Sequence, residues 1–240
     1  MATGRLFLIP SPLGEGDPRE VIPGGVLERL TRIRRFVVEE TRTTRRFLSA
    51  AGLKGHIGEL EFRELNEHTR SEEVEALLGL FTGPDGSPAD VGLISEAGLP
   101  AVADPGAALV ALCHRHGIKV IPLSGPSSLM MALMGSGLNG QSFAFRGYLP
   151  AKTEERRKAI RELEKTSAQL NQTQIFIETP YRNDSMMADL LSVLQPSTRL
   201  CIAADITNPE ETIVTQSVKC WRTGPVSIGK RPCVFLVLAS

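Results

Sequence analysis

Apolar and polar positions follow two rhythms along this chain. Short, nearly continuous apolar runs occur at Arg5–Pro10, Phe36–Val38, Val91–Ile94 and Lys119–Pro122. Runs of that length and continuity predict buried strands of a parallel sheet. Helical spacing follows them. Val26, Leu27, Leu30 and Ile33 predict one helix, and Phe47, Leu48 and Ala51 place the apolar face of another over Thr41–Ala51. Ser71, read as an N-cap with Glu72 and Glu73 at the positive end, opens a third that runs to about Phe81. Ala107–Cys113 and Leu129–Met134 predict two more. Glu59–Leu65 fits a strand or an extended loop, and Gly83–Pro88 is a turn. Strand, loop and helix in repetition predict a parallel sheet covered on both faces.

The pattern then shifts. Gly135–Gly140 (GSGLNG) fits G-x-G-x-x-G, but a helix precedes it and a strand-like run, Ser142–Phe145, follows. A dinucleotide fingerprint needs the opposite order, so this is a helix stop and turn. Gly147–Lys152 (GYLPAK) marks a domain boundary. Thr153–Leu170 is a strongly charged helix with Ile160 and Leu163 on a thin apolar side; Arg156, Arg157 and Lys158 read as a solvated face with ion pairs, ahead of a patch that positions phosphates. Gln174–Glu178, Leu200–Ala204, Thr212–Val218 and Val234–Leu238 predict strands, with a helix at Met186–Leu194. The expected fold class is α/β with two α/β domains, 1–146 with a mainly parallel sheet and 147–240 with a mixed one.

Composition narrows the field. Formal net charge is zero over 240 residues, so no global field draws the chain to nucleic acid or membrane. No apolar run reaches spanning length, and residues 1–4 lead directly into the first strand without a signal-peptide pattern, which predicts a cytoplasmic protein. Cys113, Cys201, Cys220 and Cys233 form no Cys-x-x-Cys pair and read as reduced structural thiols. His114 and His116 diverge on a helix, so no metal site is expected.

Candidate chemistry lies in the loops after strands. The central one, Ile94–Gly106 (ISEAGLPAVADPG), has Gly98 for close backbone approach and Pro100 and Pro105 to stiffen it. It lacks the lysine and free amides of a phosphate cradle. An ordinary βα turn explains it about as well as a ligand loop. Pro10–Gly14, Ser124–Ser128, Glu178–Arg182 and Asp205–Pro209 are comparable loops, rich in small residues, prolines and hydroxyls. No Ser-His-Asp order, P-loop or zinc pattern is present. The set suits a cofactor bound by backbone contacts and shape.

Six segments occur in order: LFLIPSPLGEGD, FVVEETRTTRRFL, LISEAGLPAVADPG, IPLSGPSSLMMAL, FRGYLPAKTEERR and IFIETPYR. Together they resemble the tetrapyrrole methylase superfamily of S-adenosylmethionine-dependent methyltransferases. Within it they are most similar to the branch that methylates ribose 2′-hydroxyls of small-subunit ribosomal RNA. The resemblance implies S-adenosyl-L-methionine in a cleft between two α/β domains, a homodimer, and ribosomal RNA or the small ribosomal subunit as partner. It implies cofactor contacts at Leu13, Ala97, Gly98, Leu99, Val102, Ser127, Ser128, Glu178, Thr207 and Pro232. There are departures: the central loop reads Ala97-Gly98-Leu99-Pro100 where the branch has Ala-Gly-Thr-Pro, and His68-Thr69-Arg70 stands where it has His-Asn-Glu. The C-terminal helical extension of longer relatives is not expected here.

Glu40 follows a strand at a position where tetrapyrrole methylases carry an acidic residue. It is the candidate base for a ribose hydroxyl, with a helix-start carboxylate as the equally good alternative. Arg42, Arg45 and Arg46 beside it are candidates for RNA phosphates, and His68 for orienting substrate. An RNA methyltransferase, a small-molecule methyltransferase and a non-catalytic cofactor-binding protein all remain open on these residues.

Overall fold

The computed structural model describes residues 4–224 and 226–239. Met1–Thr3, which the reading of the N-terminus touches, lie outside them. The chain divides into two compact units, Met1–Ser127 and Ser128–Ser240.

The first unit holds five strands: β1 (Arg5–Ile9), β2 (Arg35–Val38), β3 (Glu61–Glu64), β4 (Val91–Ile94) and β5 (Lys119–Pro122). All pair in parallel, in the order β3-β2-β4-β1-β5. Helices α1 (Pro18–Val21), α2 (Gly24–Leu30), α3 (Thr41–Leu48), α4 (Ser71–Ala76) and α5 (Gly106–Arg115) connect them. Side chains on a strand alternate between faces, and the core divides accordingly. Phe7, Ile9, Phe36, Val38 and Ile94 pack with Val26, Leu30 and Leu48. Leu6, Val37, Val91 and Leu93 pack with Leu77, Leu80, Leu109 and Leu112. So α2 and α3 cover one face, and α4 and α5 the other. The expected parallel sheet, covered on both sides, is what forms.

Local corrections have local causes. Ser71 is the first helical residue rather than the cap. Arg70 is the cap, and its amide is bound by Glu73, Oε2 at 2.8 Å. The predicted single helix to Phe81 tightens to a 3₁₀ turn over Leu77–Phe81. Beyond α3 the chain continues as a π-helical turn, Ser49–Leu53, where Gly52 has φ +111°.

The second unit begins with α6 (Ser128–Ser136) and β6 (Phe143–Tyr148), followed by α7 (Thr153–Leu170), β7 (Thr173–Ile177), α8 (Asn183–Val193), β8 (Arg199–Ala204), β9 (Thr212–Ser217), α9 (Val218–Trp221) and β10 (Cys233–Leu238). Its sheet runs β6-β7-β10-β8-β9, with only β6 and β7 parallel. The expected boundary after residue 146 is therefore corrected to 127/128. It would have cut β6, whose Tyr148 pairs with Ile177. GYLPAK combines a strand's end with the loop into α7, and its glycine and proline mimic a linker.

Arg156 corrects the reading of a solvated helix face. It is buried, its Nε donating to Asp189 Oδ2 at 2.6 Å, while Arg157 Nε donates to Oδ1 at 2.7 Å. One carboxylate from α8 thus holds two cations of α7. All four cysteines are free thiols, three of them buried; burial pushes Cys113 up to about 11 and Cys233 up to about 12. No helix among the described residues is long and apolar enough to cross a membrane.

Gly92 in β4 faces the first unit's core so closely that an added Cβ would lie 2.6 Å from Ile9 Cδ1 and 2.9 Å from Phe36 Cδ1. Overpacking of this kind costs about 1–3 kcal/mol. Gly92→Ala is therefore expected to lower the urea unfolding midpoint of the first unit, and an unchanged midpoint would mean that the face relaxes freely.

Candidate functional site

β1, β4 and β2 end level with one another: Ile9 pairs with Ile94, and Ile94 with Val38. The helix after β4 goes to one face of the sheet, and those after β1 and β2 go to the other. Adjacent loops that diverge in this way open a crevice at the carboxyl edge, the common ligand position in such sheets.

The two central loops are tied together there. Ser11 N donates to Gly98 O at 2.9 Å, and Gly98 N donates to Ser11 O at 3.1 Å. Ser11 Oγ adds a bond to Ser95 O at 3.0 Å. Gly98 has φ +75°, and a Cβ on it would lie 3.1 Å from Leu13 Cδ2 and 3.6 Å from Pro126 O. Three loops thus meet at one glycine. Further along, Ala101 and Ala103 have φ +64° and +59°, an unusual conformation for residues with a Cβ. Asp104 clasps this turn, accepting from Ala101 N at 2.7 Å and from Gly106 N at 2.6 Å.

Beside the bridge lies a concave pocket of about 460 Å³, with Leu13, Phe47, Ile94 and Ala97 on its apolar side and Thr43 and Glu96 on its polar side. Thr43 Oγ1 donates to Glu96 Oε1 at 2.6 Å. So Leu13, Ala97 and Gly98 come together as expected. Leu99 and Val102 continue the same loop, with Val102 47% exposed, and Ser127 ends the loop after β5.

In the second unit Ser128 opens α6, while Glu178, Thr207 and Pro232 share one edge of the mixed sheet. Glu178 follows Ile177, which pairs with Val234; Pro232 precedes Cys233, which pairs with Ala204. Asp205 N donates to Pro232 O at 3.0 Å, and Thr207 has φ +70°. The Glu178 side chain is fully buried. Its Oε1 accepts from Thr179 N at 2.7 Å and from Arg182 Nη2 at 2.6 Å, yet its Oε2 has no partner. An unsatisfied buried carboxylate oxygen calls for an N–H or O–H donor from elsewhere.

Glu40 is corrected. It is the N-cap of α3, and its two oxygens accept from Arg42 N and Thr43 N, each at 2.7 Å. Those backbone bonds hold its carboxyl below the ordinary range, the wrong direction for a base. Thr41 N is bound by Glu64 Oε1 at 3.2 Å, so the first amides of α3 are occupied by carboxylates and offer no anion site. The residue missed is Glu39. It is half-buried, accepts from Glu96 N at 3.2 Å, and is raised by burial above all and then by Asp104, Glu96 and Glu67. The available signal was the adjacent pair itself: one carboxylate alone can cap the helix at Thr41.

The basic and histidine candidates separate. Arg45 and Arg46 line an exposed groove that adjoins the pocket, while Arg42 is exposed on α3 outside both. His68 is not brought to this place. It lies in a separate groove of about 750 Å³ along the edge strand β3, with Arg35 and Arg63. That groove is larger, but it runs along β3 and shares no lining residue with the pocket.

The profile of the family described as Tetrapyrrole (Corrin/Porphyrin) Methylases matches residues 13–219. A ribosomal RNA small subunit methyltransferase I of Vibrio cholerae is 33% identical over 210 residues, covering 87% of this chain and 67% of the relative. The protein of that name in Pseudomonas aeruginosa is 32% identical over 240 residues, covering 99% and 79%. The solved uroporphyrin-III C-methyltransferase of Thermus thermophilus, complexed with S-adenosyl homocysteine, aligns with TM-score 0.55 at 20% identity over 98% of this chain and 97% of that one, which shows a shared fold.

Glu39 gives a signed test. Its folded pKa is raised, so the fold favours the protonated form; that contribution is present below the ordinary glutamate range and lost as pH rises through the folded pKa. Glu39→Gln is expected to be more heat-stable than wild type at neutral pH, with the gain vanishing below the ordinary glutamate pKa of about 4.3. Thermal denaturation across pH checks this, and a gain independent of pH would argue against a charged Glu39 as the cause.

Proposed function

The chain belongs to the tetrapyrrole (corrin/porphyrin) methylase family and is a methyltransferase, and we propose that its methyl donor is S-adenosylmethionine and its acceptor a ribose 2′-hydroxyl of small-subunit ribosomal RNA. The observation that carries the acceptor is the relatives' shared name, ribosomal RNA small subunit methyltransferase I, at 33% identity over 87% of the chain in one case. The donor is supported by the residues present. Gly98 leaves room that a Cβ would take, and Glu178 Oε2 is a buried acceptor awaiting a donor. S-adenosylmethionine carries an amino group and ribose hydroxyls suited to it. In this reading Leu13, Ala97, Gly98, Leu99, Val102 and Ser127 are the first unit's contacts to the donor.

When bound, the cofactor supplies a methyl group on a sulfonium, ready for in-line displacement. This chain's residues hold and align. The Ser11–Gly98 bridge fixes the central loop, and Asp104 keeps its left-handed turn in place. Glu40 anchors α3 and takes no proton. Orientation and exclusion of water are the main source of rate. The protein works as a homodimer in the cytoplasm in this reading, with ribosomal RNA or the small ribosomal subunit as partner.

Two variants test the reading. Gly98→Val strains a left-handed residue and crowds Leu13, and is expected to weaken S-adenosylmethionine binding, read by calorimetry, by roughly tenfold or more, the effect of straining a positive-φ position by 1–3 kcal/mol. Unchanged affinity in the folded variant would remove the central loop from the donor site. Glu40→Gln is expected to keep the wild-type single-turnover rate on small-subunit ribosomal RNA. A loss of about a hundredfold, the usual size for a general base, would return Glu40 to that role. Absence of methyl transfer to ribosomal RNA by wild type, with transfer to a tetrapyrrole, would overturn the acceptor.

A further inference from the structure

Some cations on the first unit are neutralised in place. Arg5, Arg19, Arg32 and Arg35 each pair with a carboxylate. The end of α3 is different. Arg45, Arg46, Ser49, Ala50, Lys54 and Ile57 line an open groove. Among the described residues, neither Arg46 nor Lys54 has a carboxylate at ion-pair distance. Arg45 is placed over the Phe62 ring, 5.2 Å from its centroid, which fixes the groove's far wall.

This groove runs into the 460 Å³ pocket, for Arg46 and Ala50 line both. The pocket's size is within the ordinary range for a small ligand. Its apolar wall includes Phe47 and Leu13; its polar wall carries the Thr43–Glu96 pair. Unneutralised cations alone would suit any acidic chain, and an apolar pocket alone would suit any small ring. The two joined match a ring-bearing unit within a polyanion. Single-stranded RNA offers that: unstacked bases that rest on aromatic side chains, hydroxyls for carboxylate acceptors, and a phosphodiester on either side.

We propose that the Phe47–Ala50 side of this pocket of the first unit receives one nucleotide turned out of single-stranded RNA, with its base against Phe47 and its flanking phosphates on Arg46 and Lys54, leaving Leu13 and Ala97 to the donor. The inference rests on the RNA reading above and adds the strand's route and two of its anchors. Arg46 suits a bidentate phosphate contact, and Lys54 a point charge. Glu96, whose Oε1 takes the Thr43 hydroxyl, has Oε2 to accept a hydrogen bond from a hydroxyl or amino group of the nucleotide. Ala50 guards the junction, where a larger side chain would close the way from groove to pocket.

The test uses the full chain with S-adenosylmethionine and a short labelled single-stranded RNA, with binding followed by anisotropy over a salt series. The double variant Arg46→Ala/Lys54→Ala is expected to bind roughly tenfold or more weakly for each phosphate anchor removed. Its slope of log affinity against log salt should be flatter by about 1.4, or 0.7 for each phosphate on a single strand. Ala50→Trp keeps the cations, so its salt slope should stay near wild type, while single-turnover methylation falls by about a hundredfold, the cost of misplaced reacting atoms. Melting and calorimetry with S-adenosylmethionine check that both variants fold and bind donor. If wild type binds RNA and the double variant matches it in affinity and slope, the pocket assignment is wrong and the RNA reading stands. If Ala50→Trp methylates at the wild-type rate, the pocket does not hold the nucleotide. If wild type binds no RNA at low salt, both readings fall. Polyglutamate or an RNA duplex competing as well as the single strand would also overturn the assignment.

Discussion

Two backbone hydrogen bonds between Ser11 and Gly98 hold the first unit's candidate site in shape. They become possible because β1 and β4 run in register to Ile9 and Ile94 and then send their chains to opposite faces of the sheet. Without a tie, diverging loops would leave unpaired amides at the sheet's carboxyl edge. The bridge satisfies one amide and one carbonyl on each side, and a Cβ at Gly98 would press against Leu13 Cδ2 at 3.1 Å in a left-handed conformation that L side chains rarely adopt. Its positive φ turns the loop back toward Leu13 and Pro126. The loop then accepts further strain, in Ala101 and Ala103, which the two bonds of Asp104 offset. A strained conformation persists only where its surroundings over-determine it, and here one carboxylate and one bridge supply that determination.

The second unit carries its tension differently. Its sheet edge brings Glu178, Asp205, Thr207 and Pro232 together through antiparallel pairing on both sides of β10. Asp205 and Thr207 have positive φ, and Arg231 fixes the turn by donating to Asp205 Oδ2 at 2.5 Å. Glu178 is a contrast to Asp189. Asp189 is equally buried, but both its oxygens are bound by arginines, so it has nothing left to offer and reads as structural. Glu178 has one oxygen fully engaged and the other idle. Leaving a buried polar atom unpaired costs about 1–3 kcal/mol, and that difference, rather than burial itself, separates the carboxylate proposed to meet the donor from the structural one.

Much of the fold was legible because its strands are buried on both faces and so read as continuous apolar runs. Leu6–Ile9, Phe36–Val38 and Val91–Ile94 fall where the pattern put them, and β10 and α7 do too. The boundary was not legible. β6 is an edge strand, partly exposed along its length, so it lacks the apolar signature that would have joined it to the second sheet. Arg156 was misread for a related reason. A lone buried cation looks polar in sequence, and its partner Asp189 lies 33 residues away on another helix. Within the candidate site, glycine and proline spacing found the central loop, whereas the roles of Glu39 and Glu40 depend on which of two neighbouring side chains turns back to cap α3. No pattern of residue types distinguishes them; the hydrogen bonds do.

The arrangement of carboxylates bears on how a methyl group could be moved here. Positive charge on sulfur fades during transfer, so a strong fixed anion beside it would hold the ground state more firmly than the transition state. The acids near the first unit's loops are largely spoken for. Glu40 is held by two amides of α3, Asp104 by two amides of its own turn, and Glu96 by the Thr43 hydroxyl. Burial disfavours the charge of Glu39 and of Asp104 alike, and acidic neighbours add to it at Glu39. A group in that state resists standing as a permanent anion. An edge built in this way limits fixed negative charge, so electrostatic anchoring of a cation is not what it favours. The physical preference therefore falls on alignment by the loops rather than on a base at the helix cap.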